Sequence, residues 1–189
     1  MLKAGLHEGT MFNSNNSGKQ TPFNSVQEAT SFLIAYAKQE GVAHLSYWYL
    51  QYQEGTPDQV IWVATYDPAY MSLYMSKFTP LDDPVINSVM NDKYVDWAEW
   101  WDHDSLAQAV NPIVARYGIT KYGLSMPLPA PGDDKIIFSL CTRSNDQEWP
   151  TLRGVLARRF LPFAQNFDTR MRHLVDAGQH GDSVFRLSA

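Results

Sequence analysis

The chain has 189 residues, which is enough for one domain to bury a core and still enclose a small-molecule cavity. Its formal net charge is −5 and its Lys and Arg residues are scattered, so the sequence gives no support for nucleic-acid binding by this segment. Aromatic residues make up 13% of the chain, a share that suits either an aromatic core or an aromatic-lined pocket.

The first third of the chain predicts an arm, a helix and a β-hairpin. Residues 1–24 are polar and predict a flexible N-terminal arm. Ser25 and Glu28 have the spacing of a capping box, and Gly41 lies where the following amphipathic helix ends. Residues 43–52 and 59–66 read as strands, and the turn residues between them, over 53–58, favour antiparallel pairing.

An Asp-Pro pair typical of a helix N-terminus occurs twice in the middle of the chain. Asp67–Pro68 and Asp83–Pro84 each combine an Asp N-cap with Pro at the first helical position, which predicts helices over 68–77 and 84–91. A loop with Trp97 follows, and then a helix that begins after Asp104 and runs to about residue 117.

The last third predicts two strands, over 122–128 and 135–142, and a long helix over 148–176 with a kink at Pro162. Short connections between strands favour an antiparallel sheet. The predicted fold class is therefore α/β, as an α/β/α sandwich with a central antiparallel sheet covered by helices on both faces.

Enzyme chemistry finds little support in the sequence. The short motifs of serine hydrolases, zinc proteases and P-loop enzymes are absent, and the histidines are not spaced as metal ligands on one helix face. The lone cysteine, Cys141, lies in an apolar run, which favours a packed core residue in a reducing cytoplasm. No segment is apolar enough to span a membrane. We expect a protein that is not an enzyme and needs no cofactor or metal.

Polar aromatic residues cluster in the middle third. Tyr66, Tyr70 and Tyr74 recur every four residues, and Asp83 and Trp97 follow. Each tyrosine offers an apolar ring and one hydroxyl, while a capping Asp keeps a second oxygen for a ligand N–H. This set suits a small molecule with an amide, a carbonyl and an apolar tail. Helix capping alone would also explain Asp83, and core packing alone would explain the tyrosines.

The order and spacing of these residues resemble the autoinducer-binding domain of LuxR-type quorum-sensing regulators. In that family a Tyr-Pro-x-x-Trp-x-x-x-Tyr segment precedes an Asp-Pro-Val and a Trp. Here the matching segments begin at Tyr66 and Leu81 and end at Trp97. The run from Tyr117 through Gly123 and Ser125 to Pro127 also resembles the family's Gly-x-x-x-Gly-x-x-x-Pro strand entry. The matches span about residues 25–175.

The resemblance implies a role for each matched residue. Asp83 would accept the amide N–H of an acyl-homoserine lactone, and Tyr66 would donate to its acyl carbonyl. Ser139 would assist near the amide, and Trp97 would pack on the lactone ring. Gly123 would let the backbone approach closely, and the remaining pocket-lining residues would include Tyr70, Tyr74, Ser125 and Trp48.

Two positions depart from the family pattern. The family's first Trp, whose indole N–H donates to the lactone carbonyl, is Tyr70 here, so either the hydroxyl takes over that contact or the ligand is not a homoserine lactone. Trp48 lies in the first strand, where relatives often carry small residues, and would shorten the cavity if it faced inward.

The resemblance also implies a regulatory setting. Residues 25–176 would be the signal-binding domain of a homodimeric transcription regulator, and residues 177–189 a linker toward a DNA-binding domain not included in this chain. The tail Phe185–Ala189 resembles the opening of that domain. Two alternatives stay open: a stand-alone receptor for another small apolar metabolite, and a dominant-negative dimerisation partner of a full-length regulator.

Overall fold

The fold is known from a computed structural model, which describes residues 21–77, 79–89, 94–101, 113–178 and 184–186. Within these residues, helices cover both faces of a six-stranded antiparallel sheet of order β3-β4-β5-β1-β2-β6, which confirms the predicted α/β/α sandwich. The strands are β1 (His44–Gln53), β2 (Thr56–Ala64), β3 (Val95–Asp96), β4 (Gly123–Leu128), β5 (Lys135–Cys141) and β6 (Val184–Arg186). The described helices with full bounds are α1 (Val26–Glu40), α2 (Pro68–Lys77), α3 (Pro84–Val89), α4 (Ala98–Trp101) and α5 (Trp149–Asp176).

Helices α1 and α5 cover one face of the sheet. Ala29, Leu33 and Ala37 recur every fourth residue of α1 and are buried, as an amphipathic helix requires. The Ser25 hydroxyl caps α1 at the Glu28 N–H, and Gly41 ends it in the left-handed region, with φ of 69°. Buried residues of α5, from Leu156 to Val175, complete this half of the core.

The opposite face of the sheet carries α2 and α3. Successive residues of a strand point to opposite faces, so Tyr47 and Tyr49 of β1 join the α1/α5 core, whereas Trp48 and Leu50 pack toward α2 and α3. Cys141 is fully buried on this second side, as a packed core residue. The alternation therefore directs one set of β1 side chains to the space where a cavity opens.

The hairpin between β1 and β2 is tighter than predicted. Only Glu54 and Gly55 form the turn, both with positive φ, and β2 already begins at Thr56 rather than at residue 59. A two-residue turn of this kind matches the twist of the strands it joins, so more of the intervening chain can pair. Pro57 is accommodated opposite Tyr52, where the β1–β2 register shifts.

Several features were not predicted from the sequence. β3 and β6 are short edge strands, and a 3-10 turn, Pro80–Asp82, precedes α3. The chain is helical at residues 113–116, but Asp104 and most of its predicted helix lie outside the described residues. The predicted arm is described only over residues 21–24, where Phe23 is fully buried beside Phe167 of α5. No described helix is both long and apolar enough to cross a membrane.

Candidate functional site

A cavity of about 120 Å³ lies between the sheet and helices α2 and α3. Its walls are apolar and rich in aromatic side chains, and its polar groups include hydroxyls and one carboxylate. Every residue predicted for the site lines it. These are Trp48, Tyr66, Tyr70, Tyr74, Asp83, Trp97, Ser125 and Ser139.

The sheet supplies a polar floor to the cavity. Ser46, Ser139 and Ser125 are cross-strand neighbours on β1, β5 and β4, and we call them the serine row. The Ser125 and Ser139 hydroxyls lie 2.7 Å apart, within hydrogen-bond distance. At both ends an indole N–H donates to the row: Trp97 to Ser125 at 2.8 Å and Trp48 to Ser46 at 3.1 Å. The two indoles are thereby fixed, and the hydroxyls face the cavity.

Trp97 is held against the backbone of β4. A Cβ atom built at Gly123 would lie 2.1 Å from Cε3 of Trp97, a distance that no side chain tolerates. The Trp97 backbone N–H also donates to the Gly123 carbonyl at 2.9 Å. Glycine at position 123 therefore allows the indole to pack flat against the strand, as the close-approach role assigned to this residue requires.

The two carboxylate oxygens of Asp83 accept different hydrogen bonds at the start of α3. Its Oδ1 accepts from the backbone N–H groups of Val85 and Ile86, at 2.8 and 3.3 Å, and so caps the helix. Its Oδ2 accepts from the Tyr74 hydroxyl at 2.7 Å. Tyr74 thus contacts the carboxylate directly, beyond lining the cavity. A ligand N–H that approached Oδ2 would share that oxygen with the Tyr74 hydroxyl.

The tyrosines form a packed aromatic cluster. The Tyr70 ring lies 5.4 Å from that of Tyr66, 6.0 Å from that of Tyr74 and 5.4 Å from that of Tyr117. Burial raises the pKa of Tyr66, Tyr70 and Tyr74, and the Asp83 charge adds to this. The hydroxyls are therefore neutral at physiological pH and can donate hydrogen bonds.

Sequence reasoning missed part of the site. Ser46 lines the cavity two residues before Trp48, and the two-residue periodicity of a strand would have placed both on one face. Trp100 and Trp101 lie in the segment after Trp97 that was predicted to be a loop, but they belong to α4 and both line the cavity. The other lining residues that were not predicted are Met71, Pro84, Val85, Ile86, Val114 and Ile119.

Asp96, next to Trp97, connects the site to the opposite layer. Its Oδ1 accepts from the Trp149 indole N–H at 2.8 Å, and its Oδ2 pairs with the Arg153 guanidinium. The side chain is buried. The last residue of β3 and the residue that follows it thus have different partners, since Asp96 connects the strand to the first turns of α5 and Trp97 faces the cavity. No metal-ligand cluster occurs among the residues that the structure describes.

Comparisons with known proteins agree with this architecture. The family model described as "Autoinducer binding domain" matches residues 25–171, most of the chain. No match was found among curated protein sequences.

Solved structures share the fold at low sequence identity. Escherichia coli SdiA is 19% identical with a TM-score of 0.55, over 82% of this chain and 63% of that one. A structure of SdiA in complex with octanoyl-rac-glycerol is 16% identical with a TM-score of 0.55, over 83% and 62%. The chain thus spans less than two thirds of the length of SdiA.

A further structural match is CepR2 from Burkholderia cenocepacia, an N-acylhomoserine lactone dependent LuxR family transcription factor. It is 19% identical with a TM-score of 0.55, over 79% of this chain and 84% of that one. The family model covers strands β1 to β5, helices α1 to α4, most of α5 and every cavity residue described above. The chain therefore belongs to the autoinducer-binding domain family of LuxR-type regulators.

Proposed function

We propose that this chain is the sensory domain of a quorum-sensing regulator and that it binds an acyl-homoserine lactone, or a similar small acyl signal, in the cavity between the sheet and α2. The observation that carries the proposal is the combination of aromatic walls with one carboxylate and several neutral hydroxyls. Such a lining gives an apolar tail a place to pack and gives an amide and a carbonyl specific partners. The family is a family of receptors rather than of enzymes.

Each polar group has a proposed partner on the ligand. The Asp83 carboxylate accepts the amide N–H, at the oxygen that Tyr74 orients. The Tyr66 hydroxyl donates to the acyl carbonyl, the Ser139 hydroxyl assists near the amide, and the Trp97 ring packs on the head group. A charge-assisted hydrogen bond such as that to Asp83 contributes about 1.5–3 kcal/mol. The proposed roles are supported by the shared cavity of these residues.

A second candidate ligand is an acyl ester of glycerol rather than a lactone. Tyr70 stands where the family pattern has an indole N–H donor, and its hydroxyl differs from that indole in reach and can also accept. SdiA, which shares this fold, has been solved in complex with octanoyl-rac-glycerol. A head group rich in hydroxyls would suit Tyr70 and the serine row.

We further propose that ligand binding controls DNA binding by a C-terminal domain of the same regulator, acting as a cytoplasmic homodimer. CepR2, a LuxR family transcription factor whose name states dependence on N-acylhomoserine lactone, supports this setting.

Thermal melts of ligand-free protein test the proposal. A ligand that binds only the folded state stabilises it by RT ln(1 + [L]/Kd), about 2.7 kcal/mol at a hundredfold excess over Kd. We expect the melting temperature to rise with homoserine lactones or with monoacylglycerols, and the stronger series identifies the head group. An unchanged melting temperature with every member of both series would refute binding of an acyl signal.

A further inference from the structure

The cavity ends abruptly along the sheet. On β1, Ser46 and Trp48 line it, but the next residue on that face, Leu50, is fully buried and does not. On β5, Ser139 lines it, whereas Ile137, the register partner of Trp48, is buried core. Trp48 is therefore the last residue of β1 that faces the cavity, and packed aliphatic side chains lie behind it.

Trp48 is held in this position from several directions. Its indole N–H donates to Ser46 at 3.1 Å, and its ring packs between Trp62 and Tyr74, with centroids 6.3 and 6.2 Å away. Only 6% of the residue is exposed. Moving the indole aside would leave a buried N–H without its acceptor and break both ring contacts, so the side chain acts as a fixed wall.

The space in front of this wall is small. The cavity measures about 120 Å³, and an apolar cavity of about 150 Å³ is known to bind a molecule as small as benzene. A ligand with a head group and a tail must therefore push some side chains apart. Each further methylene adds to that displacement, and overfilling a packed interior is destabilising.

We propose that Trp48 limits the length of the ligand tail, so that the cognate signal carries a short acyl chain rather than a long one. This inference rests on the proposed function, because it assumes an acyl ligand whose tail points toward Trp48. It concerns tail length only, and it applies to a lactone and to a glycerol ester alike.

The test is a series of affinities for butanoyl-, hexanoyl-, octanoyl- and dodecanoyl-homoserine lactone, with the matching monoacylglycerols. The proteins are the wild-type chain, Trp48→Leu and the control Tyr49→Leu. Tyr49 is the next residue of β1, but it belongs to the α1/α5 core, donates its hydroxyl hydrogen bond to Asp134 and does not line the cavity. We expect the wild type to bind hexanoyl over dodecanoyl by about tenfold or more, a factor that corresponds to 1.4 kcal/mol. Trp48→Leu should reverse that order, and Tyr49→Leu should keep it.

Circular dichroism shows whether Trp48→Leu folds. Trp48→Phe enlarges the cavity less than Trp48→Leu, and it should also shift the preferred acyl chain toward longer tails. Equal affinity of the wild type for hexanoyl and dodecanoyl tails, or an unchanged order in both Trp48 variants, overturns the inference while leaving the proposed function intact. If neither series binds the wild type, the proposed function fails and the inference fails with it.

Discussion

At the scale of single residues, Tyr70 is the side chain on which the nature of the head group depends. Its ring is enclosed by three other tyrosines and lines the cavity. Within the described part of the chain, its hydroxyl makes no hydrogen bond, whereas the Tyr74 hydroxyl and both indoles of Trp48 and Trp97 already have acceptors. Tyr70 is thus a donor that a ligand can engage without breaking an internal bond.

We expect Tyr70→Phe to weaken ligand binding by about 0.5–1.5 kcal/mol, the net value of one neutral hydrogen bond. Tyr70→Trp introduces the indole of the family pattern, and we expect it to strengthen binding of a lactone relative to a monoacylglycerol. Calorimetric titration of both variants with one ligand from each series measures these effects. If Phe binds as tightly as Tyr and Trp prevents folding, Tyr70 is a packing residue and not a head-group contact.

Gly123 offers a second residue-scale prediction. Since a Cβ at this position would overlap the Trp97 ring, Gly123→Ala must displace the indole from the floor of the cavity. We expect a loss of stability of about 1–3 kcal/mol, typical of overpacking, together with weaker ligand binding. Gly154→Ala is the matched control, because its new Cβ would meet only the end of Arg158, at 3.8 Å, inside α5. Chemical denaturation of both variants decides the matter, and equal stability would show that Trp97 relocates without cost.

At the scale of secondary-structure elements, short-range chemistry predicted the helix starts well. The Asp67 and Asp83 carboxylates both accept the backbone N–H two residues on, at 2.7 and 2.8 Å, and helices α2 and α3 begin at the prolines that follow. The edge strands β3 and β6 were missed because a strand of two or three residues has no periodicity of its own. Their pairing depends on neighbours distant in sequence.

Asp96 holds strand β3 in place through its contacts with helix α5. We expect Asp96→Ala to lower the free energy of unfolding by about 2–4 kcal/mol, because the buried Trp149 N–H loses its acceptor and Arg153 loses the closer of its two carboxylate partners. Glu99→Ala is the control. Glu99 also pairs with Arg153, at 3.4 Å, but it is mostly exposed, and such pairs contribute little. Urea denaturation measures the free energy of unfolding of both variants, and we expect a clearly larger loss for Asp96→Ala. Equal losses would show that Asp96 does not stabilise the site.

At the scale of the whole molecule, the sequence was sufficient to predict the sandwich and to nominate residues that share one cavity. The alternation of residues along strands and the periodicity of the helices predicted the fold. The resemblance to a family predicted which residues between Tyr66 and Ser139 contact the ligand. Ser46 and the serine row were not apparent, because they exist only once β1, β5 and β4 are placed side by side in register. The domain boundaries at residues 24 and 176 stay predictions.

The most direct test of the account is the affinity of Asp83→Asn for hexanoyl-homoserine lactone, measured by calorimetry beside the wild type and Asp82→Asn. Asn keeps the helix cap, so the fold should survive. Asp82 is an exposed neighbour whose carboxylate bonds to Thr79 and does not line the cavity. We predict that Asp83→Asn loses about 1.5–3 kcal/mol of binding free energy, at least tenfold in Kd, while Asp82→Asn matches the wild type. An Asp83→Asn protein that binds within twofold of the wild type would contradict the assignment of Asp83 as the ligand's acceptor.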